Sequence, residues 1–370
     1  MRRSILFAVT GHGFGHATRA VEIAAALRRL CPRAEVTFST SVPAGFLERS
    51  GARQAAYRCQ EYEPGTLEST CFEVDVEATR AAYRRFHEER EARIRSEAAH
   101  LRSAGYCGVV SDIAAVPIAA ASQAGLSSLA VSNFTWDWVL EPLFEGDRDL
   151  ESLVDALRAD YRRAQSFLRL PFHQDEHPFK SVEDVPLVGR RASVPPSVVR
   201  RTLGLPGASS RPLVLVTIGG LGSRGWPEIE VDACSGIDFV VVGALPIRFK
   251  SARALFLSQE RPGVSFPDLV GASDMVLAKP GYGICSECAA NGRPLAAVER
   301  RGFREYGVLR EGVSRLVPFA EVPVADFLAG AWEAHIHRLL AAEPPTPSPS
   351  GGAEAAARRI AEILGLDSER

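Results

Sequence analysis

The sequence lacks the features that would assign it to a membrane, secreted or nucleic-acid-binding class. No apolar run approaches the roughly 20 residues needed to cross a bilayer, and the five apolar residues at 5–9 are too few for the core of a signal peptide. The 43 lysines and arginines are balanced by 45 acidic residues, so the basic excess typical of nucleic-acid binding is missing. These absences predict a cytoplasmic protein with no nucleic-acid partner, and they leave a peripheral membrane contact open.

Cysteine is also scarce. The seven cysteines are odd in number and scattered, so they do not form a disulfide framework. The one close pair, Cys285 and Cys288 in "CSEC", has neither a thioredoxin-like context nor a second pair of metal ligands nearby. We interpret both as small residues on a packed helix, and we expect no metal and no cofactor.

Apolar runs alternate with helical patterns in both halves of the chain. The runs cover residues 5–10, 35–40, 107–112 and 127–133, and then 213–219, 238–244, 274–281 and 294–299. Short β-rich runs separated by helices predict parallel sheets that are covered on both faces. We therefore predict an α/β protein with two Rossmann-like, doubly wound domains that face a cleft, with ligands bound at the carboxyl ends of both sheets.

Domain boundaries follow from composition. Residues 195–212 are rich in proline, glycine and serine and are interpreted as a linker. The predicted organisation is a first domain over 1–200, a second over 213–341 and a final helix over 353–366. A long charged helix is expected over about 74–103.

The segment "TGHGFGHATRA" (10–20) connects the first predicted strand to the first predicted helix. Its glycines, among them Gly13 and Gly15, would let another molecule approach the backbone closely. They do not follow the G-x-G-x-x-G spacing, and no acidic residue ends the next strand, which disfavours a nicotinamide cofactor. His12 and His16 change protonation near neutral pH, so one of them is a candidate general base. The alternative is that they cap or orient the loop.

A second glycine-rich turn lies in "AKPGYGICSECAANGRP" (278–294). Strand, turn and helix follow in order, so the amide groups after Gly283 are expected to bind phosphate oxygens. Glu287 lies about one helical turn further on, where its carboxylate can accept hydrogen bonds from a ribose diol. Lys279 would offset diphosphate charge or else be solvated. The turn "TIGGLGS" (217–223) is a second candidate support for the diphosphate.

A third candidate site is the end of the run "CGVVSD", where Asp112 closes a strand. The aromatic cluster "NFTWDW" (133–138) follows the neighbouring strand. Aromatic faces beside a carboxylate suit a sugar-like or amphipathic acceptor, whereas ordinary packing of Trp136 and Trp138 is the alternative.

These motifs together resemble those of GT-B fold glycosyltransferases, in the broad group that contains the peptidoglycan GlcNAc transferase and the galactolipid synthases. "GFGHATR" occupies the place of the group's Gly-Gly-His turn, and "GYGICSE" is similar to its Gly-x-x-T-x-x-Glu pattern, with Cys285 in place of threonine. More closely, "TGHGFGHATR", "VVSD", "SNFTWDW", "DVPLV" and "GYGICSE" resemble the amino-terminal, glycosyltransferase-like region of plant L-arabinokinases. Their kinase part has no counterpart in this sequence, so kinase activity is not expected to carry over.

The resemblance implies a nucleotide-sugar donor, above all a UDP-sugar, on the carboxy-terminal domain and an acceptor on the amino-terminal domain. It implies that His16, or failing it Asp112, is the catalytic base. The residues implied in donor binding are Gly13, Gly15, Gly219, Gly220, Lys279, Gly281, Gly283, Ile284, Glu287 and, from "FREY", Glu305. Those implied in acceptor binding are His12, Arg19 and Trp136.

The leading hypothesis is an inverting, metal-independent glycosyltransferase that acts on a hydroxyl of a small molecule, glycan or lipid. A non-catalytic module that binds sugar nucleotides is the main alternative. A nucleotide-sugar 2-epimerase is ranked lower, because it would need acidic residues around the sugar and the amino-terminal turn offers histidines.

Overall fold

The computed structural model describes residues 3–205, 211–219, 226, 228–232, 234–257 and 263–366. Contacts divide the chain into two units. The first unit comprises Met1–Leu67, Val74–Val188 and Ser350–Arg370, and the second comprises Glu68–Glu73 and Gly189–Pro349.

Helices and strands alternate over the first half of the chain. In order they are β1 (Arg3–Val9), α1 (Phe14–Leu30), β2 (Ala34–Thr40), α2 (Ala44–Leu47) followed by a π-helical turn (Glu48–Ala52), β3 (Ala56–Cys59), β4 (Glu68–Thr70), β5 (Glu73–Val74), α3 (Val76–Ala104), β6 (Tyr106–Asp112), α4 (Ala115–Ala124), β7 (Ser127–Ser132), α5 (Trp136–Phe144), α6 (Arg148–Tyr161), β8 (Ser166–Arg169) and β9 (Val182–Asp184).

The alternation continues over the second half. The elements are α7 (Pro196–Thr202), β10 (Leu213–Thr217), β11 (Ile229–Val231), β12 (Asp238–Val242), β13 (Ile247–Phe249), β14 (Arg253–Leu257), α8 (Phe266–Ala272), β15 (Met275–Ala278), α9 (Tyr282–Asn291), β16 (Leu295–Val298), α10 (Glu305–Ser314), β17 (Phe319–Val322), α11 (Val324–Leu328), α12 (Glu333–Leu340) and α13 (Gly352–Ile363).

The first unit is built on a parallel sheet in the order β3-β2-β1-β6-β7-β8-β9. Its central strands are apolar and buried on both faces, as expected for a sheet covered by helices on either side. The charged helix α3 follows the prediction closely. The Asp75 side chain caps its first turn by accepting from the Ala78 amide, and Gly105 ends it with a positive φ of 70°.

The second unit is built on a parallel sheet in the order β14-β12-β10-β15-β16-β17. A six-residue segment from the first half of the chain, residues 68–73, belongs to this unit. Phe72 is buried in its core, where its ring lies 5.3 Å from that of Trp226 and 5.6 Å from that of Phe327. The Arg301 amide donates to the Phe72 carbonyl at 2.7 Å, which fixes the segment beside the end of β16.

The division between the units differs from the boundaries expected from composition. It passes between Val188 and Gly189, not at residue 200, and helix α7 forms inside the expected linker. The final helix α13 is part of the first unit, where Ala356 and Ile360 pack in the same core as α1. A helix that is last in sequence thus completes the unit that is first in sequence.

Candidate functional site

Each sheet has one point at which the order of its strands reverses direction. In the first unit the chain proceeds from β1 through β2 to β3 on one side and resumes with β6 on the other. In the second unit the corresponding point lies between β10 and β15. Ligands of doubly wound folds bind outside the carboxyl ends of the strands at such a switch point. The predicted residues His16 and Asp112 follow or end β1 and β6, and Gly219 and Lys279 follow β10 and β15.

At the switch point of the first unit, His16, Arg19 and Asp112 form a buried hydrogen-bonded cluster. His16 lies in the first turn of α1, which begins at Phe14, and its Nδ1 is 2.8 Å from Asp112 Oδ1. Arg19 Nε donates to Asp112 Oδ2 at 2.5 Å, and Arg19 Nη2 donates to Oδ1 at 2.6 Å. The two candidate catalytic residues, His16 and Asp112, are therefore in direct contact, and Arg19 holds both oxygens of the Asp112 carboxylate.

Two residues that sequence reasoning missed extend this cluster. Arg19 donates to the side-chain oxygen of Asn133 and, at 3.1 Å, to Ser132 Oγ. Ser132 is the last residue of β7, and Asn133 follows it as the first residue of the segment that carries the aromatic cluster. The signal was present in "SNFTWDW", because polar residues at the carboxyl ends of adjacent parallel strands meet at one edge of a sheet.

The electrostatics of the cluster define the protonation states of its members. Burial lowers the pKa of His16, and the Arg19 charge lowers it further against the raising effect of Asp112. Burial by itself raises the pKa of Asp112, but the charge and hydrogen bonds of Arg19, with a smaller contribution from His16, bring it below its usual range. At neutral pH the carboxylate is ionised and the imidazole is neutral. Nδ1 is 2.8 Å from Asp112 Oδ1 and also 2.9 Å from Arg19 Nη2. A carboxylate accepts only, so the hydrogen bond to Asp112 forms when Nδ1 carries the proton, and in that tautomer the lone pair is on Nε2.

The remaining predicted residues of the first unit surround this cluster. Gly13 is the N-cap of α1, with a φ of 89°, and Gly15 lies in the first helical turn, not in the loop. His12 Nε2 is 3.2 Å from Thr66 Oγ1, and its ring packs edge-on against Trp136. Trp136 is 1% exposed, and its indole N–H has no hydrogen-bond partner among the described residues. Because the whole side chain is buried, neither the face nor the edge of the indole is open in this structure, and acceptor binding by Trp136 stays a prediction.

At the switch point of the second unit, helix α9 begins directly after a glycine turn. Gly281 is its N-cap and carries no side chain that could accept from the first amides, which belong to Tyr282, Gly283 and Ile284. Such an N-terminus offers N–H donors and a partial positive charge to an anion. Gly219, with a φ of 90°, is beside Lys279: a Cβ added there would lie 3.9 Å from Lys279 Cε. Gly220 lies outside the described residues.

Glu287 has an arginine partner that the sequence did not predict. Its Oε1 accepts from Arg190 Nε at 2.7 Å and from another nitrogen of the same guanidinium. Asn291 Nδ2 donates to the carbonyls of both residues, at 2.9 Å to Arg190 and 2.8 Å to Glu287. Asn291 thereby holds the backbone of Arg190 against α9, the helix that carries Glu287. A carboxylate has about four lone-pair positions, so hydrogen bonding to a ribose stays a prediction for Glu287.

Lys279 and Glu305 belong to a cluster of four charged side chains. Glu68, from the six-residue segment, lies with Oε2 3.5 Å from Lys279 Nζ and accepts from Arg300 Nη2 at 2.8 Å. Arg300 Nη1 is 3.8 Å from Glu305 Oε1. The other carboxylate oxygen of Glu305 is buried and has no hydrogen-bond partner among the described residues. Burial raises the pKa of Glu305 and lowers that of Lys279.

The described residues contain no group of three or more His, Cys, Asp and Glu side chains that could hold a metal ion. Cys285 and Cys288 are buried, with free thiols, on α9, and burial raises the pKa of Cys285 to about 12. No helix in the described part of the chain is long and apolar enough to span a membrane.

Comparison with known proteins gives one extensive similarity in sequence. The chain is 31% identical over 364 residues to L-arabinokinase of Arabidopsis thaliana, a match that covers 96% of this chain and 34% of that protein. It therefore spans about a third of the length of the curated relative. No family model matches the sequence.

Solved structures of glycosyltransferases share the fold. The chain is similar to the glycotransferase of kitacinnamycin, with a TM-score of 0.61, 15% identity and coverage of 99% of this chain and 95% of that chain. It is similar to a UDP-glucosyltransferase from Polygonum tinctorium, with a TM-score of 0.56, 15% identity and 99% of both chains covered. It is also similar to the glycosyltransferase VinC in complex with dTDP, with a TM-score of 0.56, 17% identity and coverage of 98% of this chain and 95% of that chain.

Identities this low establish architecture only, whereas the plant relative is similar in sequence over nearly the whole chain. The protein therefore has the GT-B glycosyltransferase fold, and in sequence it is similar to about a third of L-arabinokinase.

Proposed function

We propose that this protein is a glycosyltransferase that moves a sugar from a nucleotide-sugar donor, a UDP-sugar, to a hydroxyl group of an acceptor. The observation that carries the proposal is the His16–Asp112 pair at the switch point of the first unit. A neutral, carboxylate-oriented imidazole is the group that general-base activation of a hydroxyl requires. The second unit supplies the donor site, at the N-terminus of α9.

His16 acts as the base and Asp112 as the group that orients it. The acceptor oxygen forms a bond to the anomeric carbon while the bond from that carbon to the diphosphate oxygen breaks. The hydroxyl proton moves to His16 Nε2, and the positive charge that develops on the imidazole is stabilised by Asp112. Displacement in one step inverts the anomeric configuration.

The leaving diphosphate is stabilised by the protein itself in this proposal. The first amides of α9 donate to its oxygens, and the ammonium of Lys279, which also contacts Glu68, is a further hydrogen-bond donor. Glu287 accepts hydrogen bonds from the ribose. Preorganised donors of this type contribute about 3 kcal/mol each to a developing anion, so a divalent ion is not required.

The acceptor is a small molecule, glycan or lipid that carries the reacting hydroxyl, bound by the first unit near His12. Arg19, which sequence analysis assigned to the acceptor, has its guanidinium engaged by Asp112, Asn133 and Ser132. We therefore give Arg19 a positioning role behind the base.

The test combines a panel of nucleotide sugars with the His16→Ala variant, with a chelator present throughout. UDP-sugars are expected to raise the melting temperature, and acceptor-dependent release of UDP is expected from the wild-type protein. His16→Ala should lower kcat about 100- to 10,000-fold with unchanged donor affinity. His12→Ala is the matched control and should act on the acceptor KM.

Three results would contradict the proposal. If no nucleotide sugar raises the melting temperature, the proposed donor site is contradicted. A wild-type protein that binds donors without turnover for any acceptor is a binding module, not an enzyme. Normal turnover in His16→Ala removes the base.

A further inference from the structure

The charged cluster of the second unit contains a residue from the other half of the chain. Glu68 is 211 positions before Lys279 in sequence, yet its carboxylate lies between Lys279 and Arg300. The burial of Phe72 and the amide bond from Arg301 hold the segment that carries it. Glu68 is thus a built component of this site and not a mobile surface residue.

The cluster has no surplus charge. In formal charge, Lys279 and Arg300 contribute two positive charges, and Glu68 and Glu305 contribute two negative charges. Burial raises the pKa of Glu305 and lowers that of Lys279, one group of each sign. Burial raises the pKa of the neighbouring Cys71 thiol to about 12, so this group adds no charge at neutral pH. All four charged side chains are at most 16% exposed, which limits screening by solvent.

One carboxylate oxygen and one guanidinium nitrogen in the cluster lack partners in the part of the chain that the structure describes. Glu305 Oε2 and Arg300 Nε are buried and have no hydrogen-bond partner among the described residues. A buried polar atom without a partner costs about 1–3 kcal/mol, and a ligand that supplies the missing partner recovers this free energy. A carboxylate oxygen accepts, so the partner for Glu305 is a donor such as a sugar hydroxyl.

We propose that Glu68 is a donor-specificity residue, and that this neutral cluster selects nucleotide sugars with an uncharged sugar over those with a uronic acid. The inference rests on the proposed function, because it assigns the cluster to the sugar of the donor. Sugar hydroxyls donate to the carboxylates, and Glu68 occupies the cations that would otherwise bind a sugar carboxylate. An anionic sugar would leave its charge without a counter-ion and face two carboxylates.

The test uses donor pairs that differ only at C6, UDP-glucose with UDP-glucuronate and UDP-galactose with UDP-galacturonate. Each dissociation constant is divided by that of UDP, so a general effect on the diphosphate cancels. The wild-type protein is expected to prefer the neutral member of the pair that it binds. Glu68→Gln keeps the shape of the side chain and leaves the cluster with a net charge of +1. It should shift the affinity ratio, defined as the affinity for the neutral sugar nucleotide divided by that for the uronate, at least tenfold toward the uronate.

Two further variants complete the design. Glu73→Gln, on the same segment but exposed, should leave the ratio within twofold of wild type. Lys279→Gln gives the cluster a net charge of −1 and should shift the ratio in the opposite direction, so the inference remains testable if Glu68→Gln does not fold. Melting temperatures identify a variant that fails to fold.

The outcomes separate this inference from the proposed function. If UDP and UDP-sugars do not bind to the wild-type protein, the proposed function fails. If they bind but the wild type prefers the uronate, or the ratio is the same in Glu68→Gln and Glu73→Gln, the role of Glu68 is overturned and the proposed function stands. The role of Glu68 is also overturned if every UDP-sugar binds with the same dissociation constant as UDP in the wild-type protein and in all variants.

Discussion

The two switch-point sites of this protein are built in opposite ways. In the first unit, both oxygens of Asp112 are engaged by Arg19 and His16, and Arg19 is held in turn by Asn133 and Ser132. In the second unit, the charged cluster leaves buried atoms of Arg300 and Glu305 without partners among the described residues. At the first site the carboxylate of the charged network is fully engaged and an unpartnered atom among the described residues is the neighbouring Trp136 indole N–H, whereas at the second site the unpartnered atoms belong to the charged groups themselves.

This difference fits the division of roles in the proposed function. A base must keep one orientation and one protonation state through the reaction, and a closed network of hydrogen bonds provides both. A binding site gains affinity from polar groups that find partners only when the ligand is present. The predictions below test this contrast, beginning with the largest expected effect.

Asp112→Asn should lower kcat about 1,000- to 10,000-fold, the effect seen when the aspartate of a serine-protease triad becomes asparagine. The asparagine amide can donate to Nδ1, which favours the tautomer with its proton on Nε2, so the lone pair of the base is lost. Steady-state kinetics with the preferred donor measure this effect, and donor affinity should stay unchanged. A loss of less than tenfold would show that Asp112 does not orient the base.

Arg19→Met should lower the free energy of unfolding by about 3–5 kcal/mol, because it leaves the buried Asp112 carboxylate without its charged partner. Lys279→Met in the second unit should cost only about 1–2 kcal/mol, since Glu68 keeps Arg300 as a partner. Urea titrations followed by circular dichroism compare the two. Equal losses would remove the contrast between a closed and an open site.

The pH dependence of kcat/KM should have its acidic limb below pH 6.5. Burial and Arg19 lower the pKa of His16 from its ordinary value of 6.5, and only the neutral imidazole accepts a proton. The rate is therefore fully present at pH 7 and falls as the pH drops through this lowered pKa. A profile from pH 5 to 8 checks the prediction, and a midpoint above 6.5 would contradict it.

The same shift affects stability in the same direction. The unfolded chain, in which His16 has its ordinary pKa, binds more protons than the native protein between the two pKa values. His16 therefore contributes stability that is present above pH 6.5 and is lost as the pH falls below it.

Much of the fold could be predicted because its signals are local. Apolar runs of six to eight residues between helical patterns specify buried parallel strands, and the structure has strands of four to seven residues at each of the eight predicted positions. The glycine turns after β1 and β15 were likewise visible as strand–turn–helix sequences. The starts of α1 and α9 were less certain, since glycine at a helix start gives no capping side chain to mark it.

Contacts between distant residues could not be predicted in this way. Nothing near Glu287 indicates that Arg190 is its partner, and nothing near Lys279 indicates Glu68. Glu68 meets Lys279 because residues 68–73 belong to the second unit, which no composition signal indicated. Arg190 meets Glu287 because the chain passes into the second unit before it, whereas composition placed that crossing at residue 200. The actual crossing at Val188 and Gly189 has no distinctive composition.

The sequence by itself determined the alternation of strands and helices, the glycine-rich helix starts, and the presence of imidazole and carboxylate at the ends of two adjacent strands. These depend on periodicity and on backbone conformation, which act over a few residues. The tertiary structure decided which charges meet: Arg19 with Asp112, Arg190 with Glu287, and Glu68 with Lys279 and Arg300. Buried charges need partners, and the partner is whichever side chain the fold brings within reach, however far away it lies in sequence.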